Sequence, residues 1–229
     1  MSNYIEIVVL VEGRTEQVFI ESLLSEYMAV RNVFMTPIQM SKPGQKGGDV
    51  KFARVINDIS NHLKQRTDTY LTLFFDYYGV KEWPGLDEAK KQQNPLEIAR
   101  VINTATQQAV NEKLSSYRSD VRFIPHVAIH EFESLLFSDP VNLAVVLNAD
   151  QLSITSILNE FNDPEKINNA PETAPSKRLE ELCPRFKKTS TGITAAKKIG
   201  IESMRQQCRV FNNWITQLEN IVGDHDGKK

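Results

Sequence analysis

The sequence predicts an α/β fold: an open, mainly parallel sheet flanked by helices, with a helical appendage at the C-terminal end. Apolar runs of strand length alternate with stretches of helical spacing over residues 1–139. Those runs end on acidic residues, the layout of parallel strands whose carboxyl ends face a common site. From residue 140 the pattern is helical throughout, broken at Pro164, Pro171, Pro175, Pro184 and Gly200. We therefore expect an α/β domain over 1–139 and a helical appendage over 140–229, packed on the sheet rather than forming an independent domain.

Residues 4–11 alternate and then run apolar, as a strand buried on both faces does. Thr15 is placed to cap the next helix, in which Val18, Phe19, Leu23, Leu24, Tyr27 and Met28 keep helical spacing. VFMTPIQ (33–39) reads as a second strand, at an edge because of Pro37. The glycine-rich SKPGQKGGD (41–49) precedes a helix striped by Val50, Ala53, Ile56, Ile59 and Leu63. TYLTLFFDYYG (69–79) is a strong strand ending on Asp76, and a polar loop around Trp83, Pro84 and Gly85 leads to a helix from Pro95 to Tyr117. VRFIPHVAIHEFESLLF (121–137) reads as a third strong strand running into a helix. NDPEKINNAPETAPSKR (162–178) is polar and proline-punctuated, which predicts a mobile loop, and GDHDGKK (223–229) predicts a frayed tail.

Composition narrows the class. The chain has 229 residues, is 41% hydrophobic and 24% charged, and carries a net charge of −2, so a nucleic-acid partner would need a local patch rather than a global field. Cys183 and Cys208 give neither a disulfide framework nor a metal-type spacing and suit a reducing compartment. MSNYIE lacks the features of a signal peptide, and no apolar run approaches the roughly 18 residues of a membrane span. These features predict a cytoplasmic protein with no membrane partner.

The stretch VVLVEGRTE (8–16) poses the functional question, because a buried strand stops at Glu12 and a second acid, Glu16, follows one helical turn later. Two more strands deliver Asp76 and the pair Glu131 and Glu133 to the same edge. One acid at a strand end is ordinarily a helix cap. Several converging there repel one another, and a hard divalent cation resolves the repulsion, since Mg²⁺ is held by carboxylates, waters and phosphate oxygens.

With these residues in place, the sequence resembles the Toprim domain of topoisomerases, bacterial primases and overcoming-lysogenization-defect nucleases. The likeness covers roughly residues 5–140 and is strongest to the nuclease branch, whose E-G-x-T-E matches Glu12 and Glu16. DYYG, HEFESLLFSDP and the basic helical C-terminal segment resemble a small bacterial Toprim-like family often encoded beside ABC-type ATPases. The resemblance implies a Mg²⁺- or Mn²⁺-dependent nuclease acting on DNA or RNA, in an antiphage defence setting with an ATPase partner. It implies metal ligands at Glu12, Glu16 and Asp76, and catalytic roles for Glu12, Asp76 and Glu16. Where the family has D-x-D, this chain has Asp76-Tyr77-Tyr78, and a tyrosine hydroxyl is a poor Mg²⁺ ligand. Glu131 or Glu133 then supplies the missing carboxylate, or the site holds one metal weakly, or catalysis has been lost.

HEFE (130–133) is not a zinc-protease signature, since position 134 is Ser. On a helix Glu131 and Glu133 would point about 200° apart, whereas an extended turn would put both on one side. His130 either orients a carboxylate or contacts phosphate, or is a satisfied structural histidine. Lys42, Lys46 and Lys51 around the glycine-rich loop are phosphate contacts or solvated charges. Near the C-terminal end, Lys177, Arg178, Arg185, Lys187 and Lys188 form a basic segment. The nuclease branch carries a lysine beyond its acidic motifs, and Lys187 or Lys188 is the candidate to stabilise charge at the scissile phosphate. Cys208, Phe211, Trp214, Ile215 and Leu218 keep helical spacing and read as core or partner surface. The competing functional class is a non-catalytic interaction protein that docks on an ATPase, and Tyr78 favours it. A receiver-like phosphotransfer domain also uses strand-end acids but needs them in another layout.

Overall fold

A computed structural model describes residues 4–40, 50–167 and 173–226, with side chains as far as residue 222. The glycine-rich stretch 41–49, with Lys42 and Lys46, lies outside the described residues, as do 168–172 within the expected loop and 227–229 of the expected tail. The chain is α/β. It runs β1 (Ile5–Val11), α1 (Arg14–Phe19), a π turn (Ile20–Leu24), α2 (Ser25–Ala29), β2 (Val33–Gln39), β3 (Val50–Lys51), α3 (Phe52–Gln65) and β4 (Tyr70–Asp76). There follow β5 (Val80–Lys81), α4 (Leu86–Ala89), α5 (Pro95–Leu114), α6 (Ser119–Arg122), β6 (Phe123–Ile124) and β7 (Val127–Ala128). A 3₁₀ stretch (Phe132–Ser138) then leads into α7 (Pro140–Leu147), α8 (Gln151–Phe161), α9 (Pro175–Leu182), α10 (Ile193–Ile199), α11 (Ile201–Gln207) and α12 (Arg209–Asp226).

The main sheet has the order β2-β1-β4-β6, with β7 also paired to β4, and every pairing is parallel. β2 is an edge, as Pro37 requires. Alternation along the strands divides the core. Ile5, Ile7, Val9, Val11 and Phe74 face one side, where α1, the 3₁₀ stretch and the helices from α7 onward pack. Leu10, Leu71, Leu73 and Phe75 face the other, under α3 and α5. Cys208, Phe211, Trp214, Ile215 and Leu218 are all in the first cluster.

The structure corrects several local expectations. Residues 121–137 are not one long strand. Pro125, which has no N–H to give a ladder, separates the short β6 and β7, and a 3₁₀ stretch replaces the expected helix. Thr15 is the second residue of α1, and the N-cap position is Gly13, with no side-chain cap bond. The segment 162–178 is partly ordered, with a 3₁₀ turn at Pro164–Lys166 and α9 from Pro175. α12 runs on to Asp226, so the tail at 223–226 is helical.

Candidate functional site

The register places the acids. Val11 lies opposite Phe74 and Asp76 opposite Ala128, so Glu12, Asp76 and residues 129–133 leave the parallel sheet at the same edge. After Glu12, the extended Gly13 leads straight into α1, which brings Glu16 back under the sheet edge, only 8% exposed. Asp76 opens a tight turn in which the Gly79 N–H donates to its carbonyl at 2.9 Å. A side chain on Gly79 would run into the Glu12 carboxylate, so this glycine is what lets Glu12 lie against the turn.

Glu131 is extended and precedes the 3₁₀ stretch, and Glu133 lies in its first turn. HEFE is thus neither a continuous helix nor an extended turn but the junction of the two, and both carboxylates reach the ammonium of Lys188. Lys188 Nζ lies 3.4 Å from Glu131 Oε1 and 3.1 Å from Glu133 Oε2. Lys188 starts a second π turn, Lys188–Gly192, which follows the extended Lys187. Lys187 is exposed, so of the two candidates Lys188 enters the crevice.

Some of these acids also do structural work. Asp76 Oδ1 accepts the Phe132 N–H at 3.0 Å, and Glu131 Oε2 accepts the Ser176 N–H at 3.0 Å at the start of α9. Each thus caps a helical segment remote in sequence. Ser176 and Gly79 are members of the site that sequence reasoning missed; the only available signals were the Ala-Pro before Ser176 and the glycine closing DYYG.

The electrostatics are those of crowded acids. Burial, then the charges of Glu16, Glu133 and Glu12, push the Asp76 carboxyl well above the usual carboxylate range, against an opposite pull from Lys188. Burial pushes Glu133 up to about 7 despite the nearby ammonium. Glu133 is 1% exposed, and Lys188 at 3.1 Å from its Oε2 is its counter-charge, while its Oε1 is buried with no hydrogen-bond partner. Burial pulls the Lys188 ammonium down, but Glu133, Glu131 and Asp76 outweigh it and hold the pKa above the usual lysine value.

Tyr78 and His130 form the rim. Their rings stack at 5.2 Å between centroids, and burial, with Glu131 next, raises the Tyr78 hydroxyl to about 12. His130 has a left-handed backbone (φ 65°), a conformation that stores strain in a non-glycine residue. Burial lowers its pKa to about 4, so it is neutral, and its Nδ1 is buried without a partner.

Glu12, Glu16, Asp76, Glu131, Glu133 and Lys188 thus share one crevice. Their donor atoms are hard oxygens, the set suited to Mg²⁺ or Mn²⁺, and the buried, unpartnered Glu133 Oε1 is the kind of atom a cation would satisfy. Among the described residues, however, no three His, Cys, Asp or Glu side chains already stand as a metal cage.

Residues 11–219 match the family described as "Domain of unknown function (DUF4276)". No curated protein matches the chain in sequence. Among solved structures, the C-terminal region of the Burkholderia pseudomallei OLD protein aligns over 96% of this chain and 99% of its own, at 13% identity and a TM-score of 0.46. Among the described residues, no helix is long and apolar enough to cross a membrane.

Proposed function

We propose, from the premise that this chain belongs to the DUF4276 family, that it is a divalent-cation-dependent nuclease cleaving phosphodiester bonds of DNA or RNA. One observation carries the reading: Asp76, buried at a strand end, is crowded by carboxylates from two other segments, Glu12 and Glu16 at the β1–α1 junction and Glu133 in the 3₁₀ stretch. Such crowding destabilises the fold and is kept where a cation or a reaction uses it.

In this reading Glu12 and Asp76 hold the cation, and Glu16 with Glu131 or Glu133 either holds a second one or positions the attacking water. A cation bound there supplies Lewis-acid stabilisation of the phosphoryl oxygens. Lys188 keeps its proton and offers a fixed positive charge where an oxyanion develops. Capping bonds to Phe132 and Ser176 fix the orientation of Asp76 and Glu131, so that little rearrangement is left for the moment of reaction.

A second reading is favoured by Tyr78 and by the engagement of Glu131 and Glu133 with Lys188: a non-catalytic subunit that docks on an ABC-type ATPase. One assay separates the two. Single- and double-stranded DNA and RNA are offered with Mg²⁺ or Mn²⁺, with and without the ATPase. Cleavage should need the cation and vanish in Glu12→Ala and Asp76→Asn, and Lys188→Met should lose about a hundredfold or more. Cleavage that persists in Glu12→Ala would rule out the catalytic reading and leave the docking subunit in its place.

A further inference from the structure

A cleft of about 420 Å³ opens along the DYYG turn, β5 and α4, and Tyr78 belongs both to its lining and to the rim of the acid crevice. The corner that carries it is well anchored. β5 pairs with β3, and Trp83, 5% exposed, donates its indole N–H to Thr106 Oγ1 at 2.8 Å and sets its ring edge-on to Phe52 and Phe75. Val80 and Leu86, both buried, give the cleft an apolar floor.

Two tyrosines complete it. Tyr78 stays 45% exposed although its ring stacks on His130, and the Tyr77 ring lies 6.1 Å from it at 49°. Lys81 and Lys90 line the cleft and are exposed, and Glu82, the acid beside them, is engaged by Lys51. An accessible ring over an apolar floor, edged by lysines, suits a flat aromatic group carried on an anionic chain. The rings and floor meet its face, and the ammonium groups meet its phosphates.

Position decides which flat group this is. Tyr78 follows Asp76 by two residues and feels the charge of Glu131, and Gly79 lies against the Glu12 carboxylate. A nucleic-acid chain with a phosphate at the acids therefore brings a neighbouring base to this cleft. In a duplex that base is paired and stacked between its neighbours, and moving it onto Tyr78 costs that stacking. In a single strand the base is available. We propose that Tyr77 and Tyr78 form a stacking platform for a base next to the scissile phosphate, so that the substrate is single-stranded nucleic acid. The inference rests on the nuclease reading, which supplies the phosphate at the acids.

Binding is read by fluorescence anisotropy on the full chain, with Ca²⁺ in place of Mg²⁺. The probes are labelled oligothymidylate, oligouridylate and an abasic sugar-phosphate chain of the same length. At least one base-bearing chain should bind about tenfold tighter than the abasic one, the worth of one stacked base. Tyr78→Ala should remove most of that preference, weakening the base-bearing chain and leaving the abasic chain as it was. Tyr78→Phe keeps the ring and should keep the preference. Lys90→Ala should weaken both kinds of chain by the same factor, as loss of a phosphate contact does. The duplex with oligoadenylate should bind about tenfold more weakly than the single strand. The proposal is overturned if the parent binds base-bearing and abasic chains alike, or if Tyr78→Ala loses the same factor on both. A duplex bound as tightly as the single strand overturns it too. Cleavage in Mg²⁺ is followed in parallel. Its absence beside an intact base preference sinks the nuclease reading and leaves the platform, whereas cleavage without base preference sinks the platform and leaves the nuclease.

Discussion

Tyr78 is the residue at which the chain departs from the Toprim pattern it resembles, and the structure gives it a defined place. Its ring lies on His130, and its hydroxyl, raised to about 12 by burial and the Glu131 charge, stays protonated and is no anionic ligand. Cation affinity follows the number of charged oxygens in a site, so Tyr78→Asp should tighten Mn²⁺ binding by calorimetry, by about tenfold. Unchanged or weaker binding would remove the two-acid template borrowed from the resemblance. Gly79→Ala tests the same corner from the other side. A methyl group there displaces the Glu12 carboxylate, the far end of a flexible side chain, so Mn²⁺ affinity should fall while the cation-free Tm changes little. At this scale the sequence was informative where position alone decides. Glu12 and Asp76 follow buried strands, and parallel strands end at one edge. It could not choose between Lys187 and Lys188, because neighbouring residues entering a π turn point apart and only the packed turn says which meets the acids.

Among the elements, α12 shows what local pattern omits. Its apolar stripe was legible, but its anchor was not. Glu165, 3% exposed, accepts the N–H groups of Val210 and Phe211 at 2.8 and 2.9 Å and so caps the helix from a turn 45 residues upstream. A sequence window contains no trace of such a contact, just as it missed that Pro125 divides β6 from β7. Burial raises Glu165 to about 7 against the pull of those N–H groups. A carboxyl raised on folding contributes stability while it holds its proton. That contribution is fully present below the unfolded value of 4.5 and is lost as pH rises to about 7. The loss is at most ~3 kcal/mol, from the size of the shift. Glu165→Gln cannot titrate, and its NH₂ faces one of the two donors. The variant should melt lower at pH 5 and show less decline in Tm between pH 5 and 8 than the parent. An equal decline in both proteins would mean that Glu165 is not the titrating group.

For the whole molecule, the sheet and its helices hold together a cluster that opposes folding. Ile7, Val9 and Val11 of β1 share one core with Leu143 of α7 and Trp214 of α12, and this core is what holds Glu12, Asp76 and Glu133 at close quarters. Not every acid is equally costly, since Asp76 also caps Phe132 and removing its oxygen altogether would lose about 1 kcal/mol. Substitutions that keep shape and remove charge separate the two effects. Asp76→Asn retains an acceptor for the Phe132 N–H, and Glu12→Gln retains the side-chain volume beside Gly79. Both should leave the cation-free Tm unchanged or raise it, because repulsion is relieved. A cation that binds only the folded chain stabilises it by mass action, by about 1.4 kcal/mol at ten times its Kd, or about 3–6 °C for a chain of this size. Mg²⁺ or Mn²⁺ should therefore raise the Tm of the parent protein by that amount, Ca²⁺-free and at fixed ionic strength, and leave both variants where they were. A cluster that is structural only would reverse the pattern, with variants that melt lower and a parent indifferent to the cation, because the acids would then be held by Lys188 and the backbone caps alone.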